Sequence, residues 1–412
     1  MNYNLLNYTK NVLHTRIKKA NSQYIWDEFG NKRIDFYLGA GSQILGHSNV
    51  EISNAFTLQL NKGIIYAGES EDIHLLCEKL TEFIPEHLNN FIFCSSGTEA
   101  TMRALRYARL STGKDKIACF RGGWHGMNEW TLLDSAGRVS DFNRATSKMG
   151  IPNVVGNNVI ELEFNCEKSL DIIKLNKSQL ACVILEPVPG SCPLLNLEYL
   201  KQVEKICNEN GIVLIFDEII TGFRLSIGGI SKLYGIRPDI ITYGKILGGG
   251  LPVGLVAMSA SIVETTFRDK TKTALAGGTF SANPLVSAVS LKVLEILKYK
   301  DYSDINEAGN KIRKNLNNYF VDNSLPLSMI GVGSVSRLIY TNLEVKNRSE
   351  RDINELNITI QNEIIRNIYN NGIYWPPNGI IFNGFCHSNK DIDLLIDVIS
   401  SSVNFLKARN YD

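Results

Sequence analysis

From about residue 50 to residue 285, short apolar runs alternate with stretches whose apolar residues recur at i, i+3 and i+4. The runs are "FIFCSS", "KIACF", "NVVG", "ACVILEPV", "GIVLIFDEII", "DIITYG" and "LPVGLVAM". Between them lie "SLDIIKLNKSQ" and "NLEYLKQVEKICNENG", the second stopped at Asn210-Gly211. Strands that are apolar on both sides and separated by helices predict an α/β fold, with a mostly parallel sheet covered on both faces. Ahead of this stretch, "YIWDEFGNKRIDFYL" at residues 24–38 predicts two short strands about a turn at Gly30-Asn31. Beyond about residue 286 the pattern changes to the helices "LVSAVSLKVLEILK" and "INEAGNKIRKNLNNYF", then short strands and a last helix, "KDIDLLIDVISSSVNFLKA". The expected division is a large domain over 50–285, a smaller α+β domain over 286–412, and a segment 1–49 that packs with the smaller domain.

Composition narrows the class of partner. Lys plus Arg number 43 against 42 Asp plus Glu, so no whole-chain field draws the protein to nucleic acid or to an anionic membrane. A charged ligand must be held locally, and a small molecule is the expected partner. The eight cysteines are scattered, with no CxxC and no metal-ligand spacing to the six histidines, so no metal site is expected and a reducing, cytoplasmic setting fits. The stretch "MNYNLLNYTKNVLHTRIKK" lacks an apolar core of signal-peptide length. No segment offers the roughly 18 apolar residues of a membrane span.

Within "DIITYGKILGGGLPVG", Lys245 sits between a strand-like run and three glycines. A phosphate loop requires its glycines before the lysine and a hydroxyl residue after it, and a dinucleotide fingerprint requires GxGxxG opening a helix; neither is present. A lysine at a strand end is ordinarily just solvated. Three further segments bear on it. Asp217 closes the apolar strand of "VLIFDEIITGF", where a carboxylate is costly unless a cation meets it; a helix cap is the alternative. "FCSSGTEATMRALRYARL" places Ser96, Gly97 and Thr98 at a helix start, which suits both an anion pocket and a capping box. In "GGWHGMNEW", Trp124 lies among glycines, either as a flat wall for a ligand or as an ordinary surface or core residue.

In this chain order an anion cradle, an aromatic wall, a buried carboxylate and a strand-end lysine meet the needs of pyridoxal 5′-phosphate. Its phosphate needs helix N–H groups, its ring an apolar sandwich, its pyridinium nitrogen a carboxylate and its aldehyde an amine. With these residues in place, the sequence resembles the class III pyridoxal-phosphate aminotransferases of fold type I, and within them the glutamate-1-semialdehyde aminomutase subgroup. The matching stretches include "YIWDEFGNKRIDF", "SSGTEATMRALRYAR", "GGWHG", "VILEPVPG", "VLIFDEIITGFR", "PDIITYGKILGGGLPVG" and "GGTFSANPL", spanning about residues 24–290.

The resemblance implies that the large domain binds pyridoxal phosphate, that Lys245 forms the internal aldimine and that Asp217 pairs with the pyridinium nitrogen. It implies that Ser96, Gly97 and Thr98 cup the phosphate, that Trp124 and Ile219 flank the ring, and that Glu186 lies near it, with Asn165 beside the phenolic oxygen. Thr279 would reach the phosphate of a neighbouring subunit, so the resemblance implies a homodimer with shared sites. His47, His125 and Arg224 are read as structural, because hydrogen-bonded polar residues are commoner than extra catalysts. The substrate side departs from the subgroup. Arg16 is only a rough stand-in for its carboxylate-binding arginine, Gly41 or a neighbour replaces its tryptophan, and no carboxylate precedes Asp391 in "WPPNGIIFNGFCHSNKDID". The expected activity is an aminotransferase acting between an amino donor and a carbonyl acceptor. An intramolecular aminomutase is the alternative, and a non-catalytic homologue the third.

Overall fold

The computed structural model describes residues 16–66, 68–132, 150–376 and 378–408. The first part of the expected N-terminal segment, residues 1–15, lies outside the described residues. Two compact units emerge, one of residues 50–302 and 345–353, the other of residues 1–49, 303–344 and 354–412.

The larger unit is built on a seven-stranded sheet. Its strands are β1 (Asn90–Cys94), β2 (Lys116–Phe120), β3 (Val159–Leu162), β4 (Leu180–Leu185), β5 (Val213–Asp217), β6 (Ile240–Gly244) and β7 (Gly254–Met258), in the order β1-β7-β6-β5-β4-β2-β3. β7 runs antiparallel to both β1 and β6, and the other neighbours are parallel, as the apolar runs predict. Every residue of β4, β5, β6 and β7 is buried. Each large aliphatic side chain removed from water there contributes about 1.5–3 kcal/mol.

One expected strand is corrected. "NVVG" is a helical turn, Asn153–Gly156, because Pro152 presets the backbone ahead of it and Val155 N bonds back to the Pro152 carbonyl. The strand is the following "VIEL", which pairs with β2.

Helices cover the sheet: α1 (Val50–Lys62), α2 (Glu71–Phe83), α3 (Gly97–Thr112), α4 (Glu167–Leu175), α5 (Leu197–Glu209) and α6 (Pro284–Leu297). α5 starts where the Asn196 side chain accepts from Tyr199 N at 3.0 Å. α6 starts at Asn283-Pro284 and packs against α1 and α2. That packing keeps α6 in the larger unit, which the chain leaves at residue 302 rather than at the expected 285. A later segment, α7 (Arg348–Asn354), also belongs almost wholly to this unit, which apolar spacing did not predict.

The smaller unit joins Ile17–Asn21, Tyr24–Asp27 and Lys32–Asp35 to Ile373–Tyr374 in a four-stranded sheet, so the hairpin about Gly30-Asn31 forms as predicted. Its core gathers Phe36, Leu316, Phe320, Ile364, Trp375 and Leu395.

Candidate active site

Parallel strands of an open α/β sheet bring their C-terminal ends to one edge, where such sheets bind ligands. At that edge β6 ends on Gly244 and the next residue is Lys245, which opens a short 3-10 turn, Lys245–Gly248. Lys245 has φ 44°, in the left-handed region that a side chain ordinarily avoids at a cost of about 1–3 kcal/mol. Burial lowers its pKa from the usual lysine value; the Glu186 and Asp217 carboxylates oppose that shift, and Arg224, itself wholly buried, adds to it. A half-buried amine whose pKa is lowered by burial, in the field of two carboxylates, is suited to proton transfer.

The register Asp217↔Thr242 sets Asp217 beside β6. Its Oδ1 accepts from Thr242 Oγ1 and from Ile219 N, each at 3.1 Å, and its Oδ2 lies 2.7 Å from His125 Nδ1. A carboxylate only accepts, so Nδ1 carries the hydrogen. β5 is followed by turns rather than by a helix, which removes the helix-cap alternative for Asp217. His125 is as buried as its partner, and its Nε2 has no hydrogen-bond partner among the described residues. Sequence reasoning set His125 aside as structural; a histidine among glycines carries no local sign that its partner lies in a strand far along the chain.

Glu186 follows β4, is buried, and accepts from Trp124 N at 3.0 Å. Burial pushes its pKa up to about 7, with Asp217 raising it further and His125 and Lys245 pulling it down. Trp124 is 46% exposed, so it is not a core residue.

At the start of α3 the capping reading is visible. The Ser96 hydroxyl accepts from Glu99 N at 3.1 Å and Glu99 Oε2 accepts from Ser95 N at 2.9 Å, which is a reciprocal cap. The first-turn N–H groups of Gly97 and Thr98 have no intrahelical acceptor and stay available to an anion. Thr98 Oγ1 accepts from Met127 N at 3.1 Å and so ties the "GGWHG" loop to this helix. A Cβ on Gly97 would lie 2.6 Å from Ile219 Cδ1, so only glycine lets Ile219 close over the helix start.

The fold thus gathers Lys245, Asp217, Glu186, Ile219, Gly97 and Thr98, with Trp124 joined through its backbone. A half-buried amine, a buried carboxylate, free helix N–H groups and an aliphatic wall fit an anionic, flat, aldehyde-bearing cofactor. Among the described residues Thr279, expected to serve a neighbouring subunit, and Asn165 make no hydrogen bond to this cluster. Thr279 is exposed in a loop, with no hydrogen bond to Ser96, Gly97 or Thr98. The Asn165 amide donates to the Lys346 carbonyl at 2.9 Å. Among the described residues no cluster of His, Cys, Asp and Glu is suited to a metal, and no helix is long and apolar enough to cross a membrane.

Known proteins match this architecture over nearly its whole length. The family description "Aminotransferase class-III" matches residues 6–403. A glutamate-1-semialdehyde 2,1-aminomutase of Methanococcus vannielii is 35% identical over 369 residues, covering 88% of this chain and 84% of the relative. One from Persephonella marina is 35% identical over 383 residues, covering 92% and 88%. Among solved structures, an omega-transaminase from Sphaerobacter thermophilus superposes with a TM-score of 0.87 at 25% identity, covering 96% of this chain and 92% of that one. The chain belongs to the class III aminotransferases, enzymes whose cofactor is pyridoxal 5′-phosphate.

Proposed function

We propose that this chain moves an amino group between an amino donor and a carbonyl compound, with Lys245 as the catalytic amine. The observation that carries the reading is Lys245 itself: a strand-end lysine in a left-handed conformation, its pKa lowered by burial, between Glu186 and the Asp217–His125 pair. Bound pyridoxal phosphate supplies an aldehyde to receive the amine and a ring that delocalises the electron pair left when a proton departs from the substrate carbon. Lys245 Nζ takes up that proton and returns it at the end of the transfer. Asp217, held by three donors, would meet the pyridine nitrogen of the bound cofactor and favour its protonated form, and the bond from His125 fixes the orientation of the carboxylate. Gly97 and Thr98 would offer their N–H groups to the phosphate with Ser96 at the cap, and Ile219 and Trp124 would flank the ring.

Thr279 would complete the phosphate pocket of a partner subunit, which makes the working unit a homodimer. Exposed Leu58, Leu60, Ile64, Ile65 and Tyr66 at the end of α1, with Leu275 and Phe280 flanking Thr279, support an apolar face that a second copy covers. The eight cysteines are free, which supports a reducing, cytoplasmic setting.

Transfer between two molecules is the first reading, because the substrate-side residues are committed elsewhere. Arg16 is exposed and pairs with Glu28 at 3.6 Å. Asp391 closes a capping box with Ser388 and accepts from Gln23 at 3.1 Å. The second reading, transfer within one molecule, is favoured by the aminomutase name of the relatives. An amino-donor screen separates them. An intermolecular enzyme converts the cofactor's aldehyde absorbance to that of the amine form with a simple amino acid and releases the matching keto acid. If no donor does so, while an amino aldehyde isomerises without one, the first reading is wrong.

A further inference from the structure

Segment 345–353 lies across the C-terminal ends of three neighbouring strands. Beyond β3, Asn165 donates to the Lys346 carbonyl and Ser349 Oγ donates to Glu163 Oε1 at 2.7 Å. Beyond β2, the Cγ and Cβ of Arg348 lie 2.6 and 2.7 Å from where a Cβ of Gly122 would stand. Beyond β4, Arg351 Nη1 donates to the Ser191 carbonyl.

Two arginines share one carboxylate here. Asp352 Oδ2 accepts from Arg348 Nε at 2.5 Å, and Oδ1 accepts from Arg351 Nη2 at 2.5 Å and Nε at 3.2 Å. Both oxygens are engaged, so the cluster keeps a net positive charge. The two Nη groups of Arg348 have no acceptor among the described residues, on a side chain only 17% exposed. The buried Ser191 Oγ likewise has no hydrogen-bond partner there, and it lies 2.6 Å from the same point above Gly122. Gly122, lacking a side chain, lets the Arg348 stem and the Ser191 hydroxyl close in together on the loop, with the Arg348 guanidinium extending beyond them. A largely buried cation with an open fork fits a planar or tetrahedral oxyanion. Gly122 belongs to the loop whose Trp124 N–H holds Glu186.

We propose that Arg348 and Ser191 bind an oxyanion carried by the substrate, a carboxylate or a phosphate, with Arg351 and Asp352 as positioning residues that aim the guanidinium. The proposal rests on the amino-transfer reading for its substrate, and it accounts for where the anion recognition not met by Arg16 has gone.

The test measures equilibrium binding of glutarate and of inorganic phosphate to the cofactor-loaded enzyme, for wild type, Arg348→Met, Arg348→Lys and Lys346→Ala. The anion that binds names the group. Arg348→Met is expected to weaken it by about 10- to 100-fold, Arg348→Lys by less, since a point charge replaces a fork, and Lys346→Ala hardly at all. Kinetically, KM for amines carrying that anion rises in Arg348→Met while kcat holds within about twofold, and amines without it are unaffected. If Arg348→Met does not fold, Arg348→Lys keeps the stem and carries the comparison. Absence of binding to wild type, unchanged binding in the folded Arg348 variants, or an equal loss in Lys346→Ala overturns the proposal. A wild-type enzyme that accepts no amine yet binds glutarate or phosphate through Arg348 sinks the amino-transfer reading and leaves the anion site standing.

Discussion

Around Lys245 the polar groups are held by one another: Asp217 by Thr242, Ile219 and His125, and Glu186 by Trp124. The next residue in the chain, Glu218, is just as enclosed and accepts from Thr221 Oγ1, Ile230 N, and Ser231 N and Oγ. The loop carrying Thr279 is built the opposite way. Thr279 is exposed, and its neighbours are tied by hydrogen bonds from Arg103 to the Gly277 carbonyl and from Tyr107 OH to the Leu275 carbonyl. Strand ends in a sheet covered on both faces are fixed by burial, whereas a loop with its side chains in water is fixed only by what it later meets. The comparison sets a strand-end cluster preorganised within one chain against a loop whose proposed role at a second chain can be tested separately.

Removing Lys245 should have the largest effect. Lys245→Ala leaves Asp217, Ile219 and the α3 N–H groups in place, so cofactor should still bind while turnover falls by at least about a thousandfold. Borohydride treatment of the wild type should fix the cofactor covalently to Lys245, and peptide mapping reads the site. Label on another lysine would mean that the strand-end cluster is structural and that the chemistry lies elsewhere.

The sheet was legible because β4 to β7 are apolar on both faces, a pattern that a surface helix does not share. Lys245, Asp217 and the α3 start were legible because strand ends and helix starts have local signatures. "NVVG" misled because its valines suggest a strand, while Pro152 ahead of them decides the backbone. His125 and the 345–353 segment were hidden for a common reason. The His125 to Asp217 and Ser349 to Glu163 contacts join distant parts of the chain, and periodicity within a short window holds no information about them.

The loop's side of the comparison is tested by complementation. If Thr279 serves a partner's phosphate, Thr279→Ala and Lys245→Ala chains are each inactive or weak alone. Mixed under exchange, they form heterodimers with one site that has both residues intact, so up to about half of the wild-type activity per dimer returns. No recovery in heterodimers verified by mass would place the whole phosphate pocket within one chain, as would a fully active monomer on sedimentation.

The smallest effect concerns the charge state of the cluster without cofactor. Glu186 has its pKa raised to about 7 from 4.5, chiefly by burial, so the folded chain holds its proton more tightly than the unfolded chain does. Between those two values the folded state binds more protons, and this group's contribution to stability falls as pH rises. That contribution is fully present below about pH 4.5 and is lost as pH passes through about 7. Glu186→Gln keeps an acceptor for Trp124 N and cannot ionise. In the cofactor-free chain its Tm should therefore match the wild type near pH 4.5 and exceed it by a growing margin up to pH 7. Thr279→Ala, in the exposed loop, should shift Tm by the same small amount at every pH. A Glu186→Gln chain that becomes less stable than the wild type as pH rises would show Glu186 to be a stabilised anion, held by Lys245 and His125 more strongly than burial opposes it.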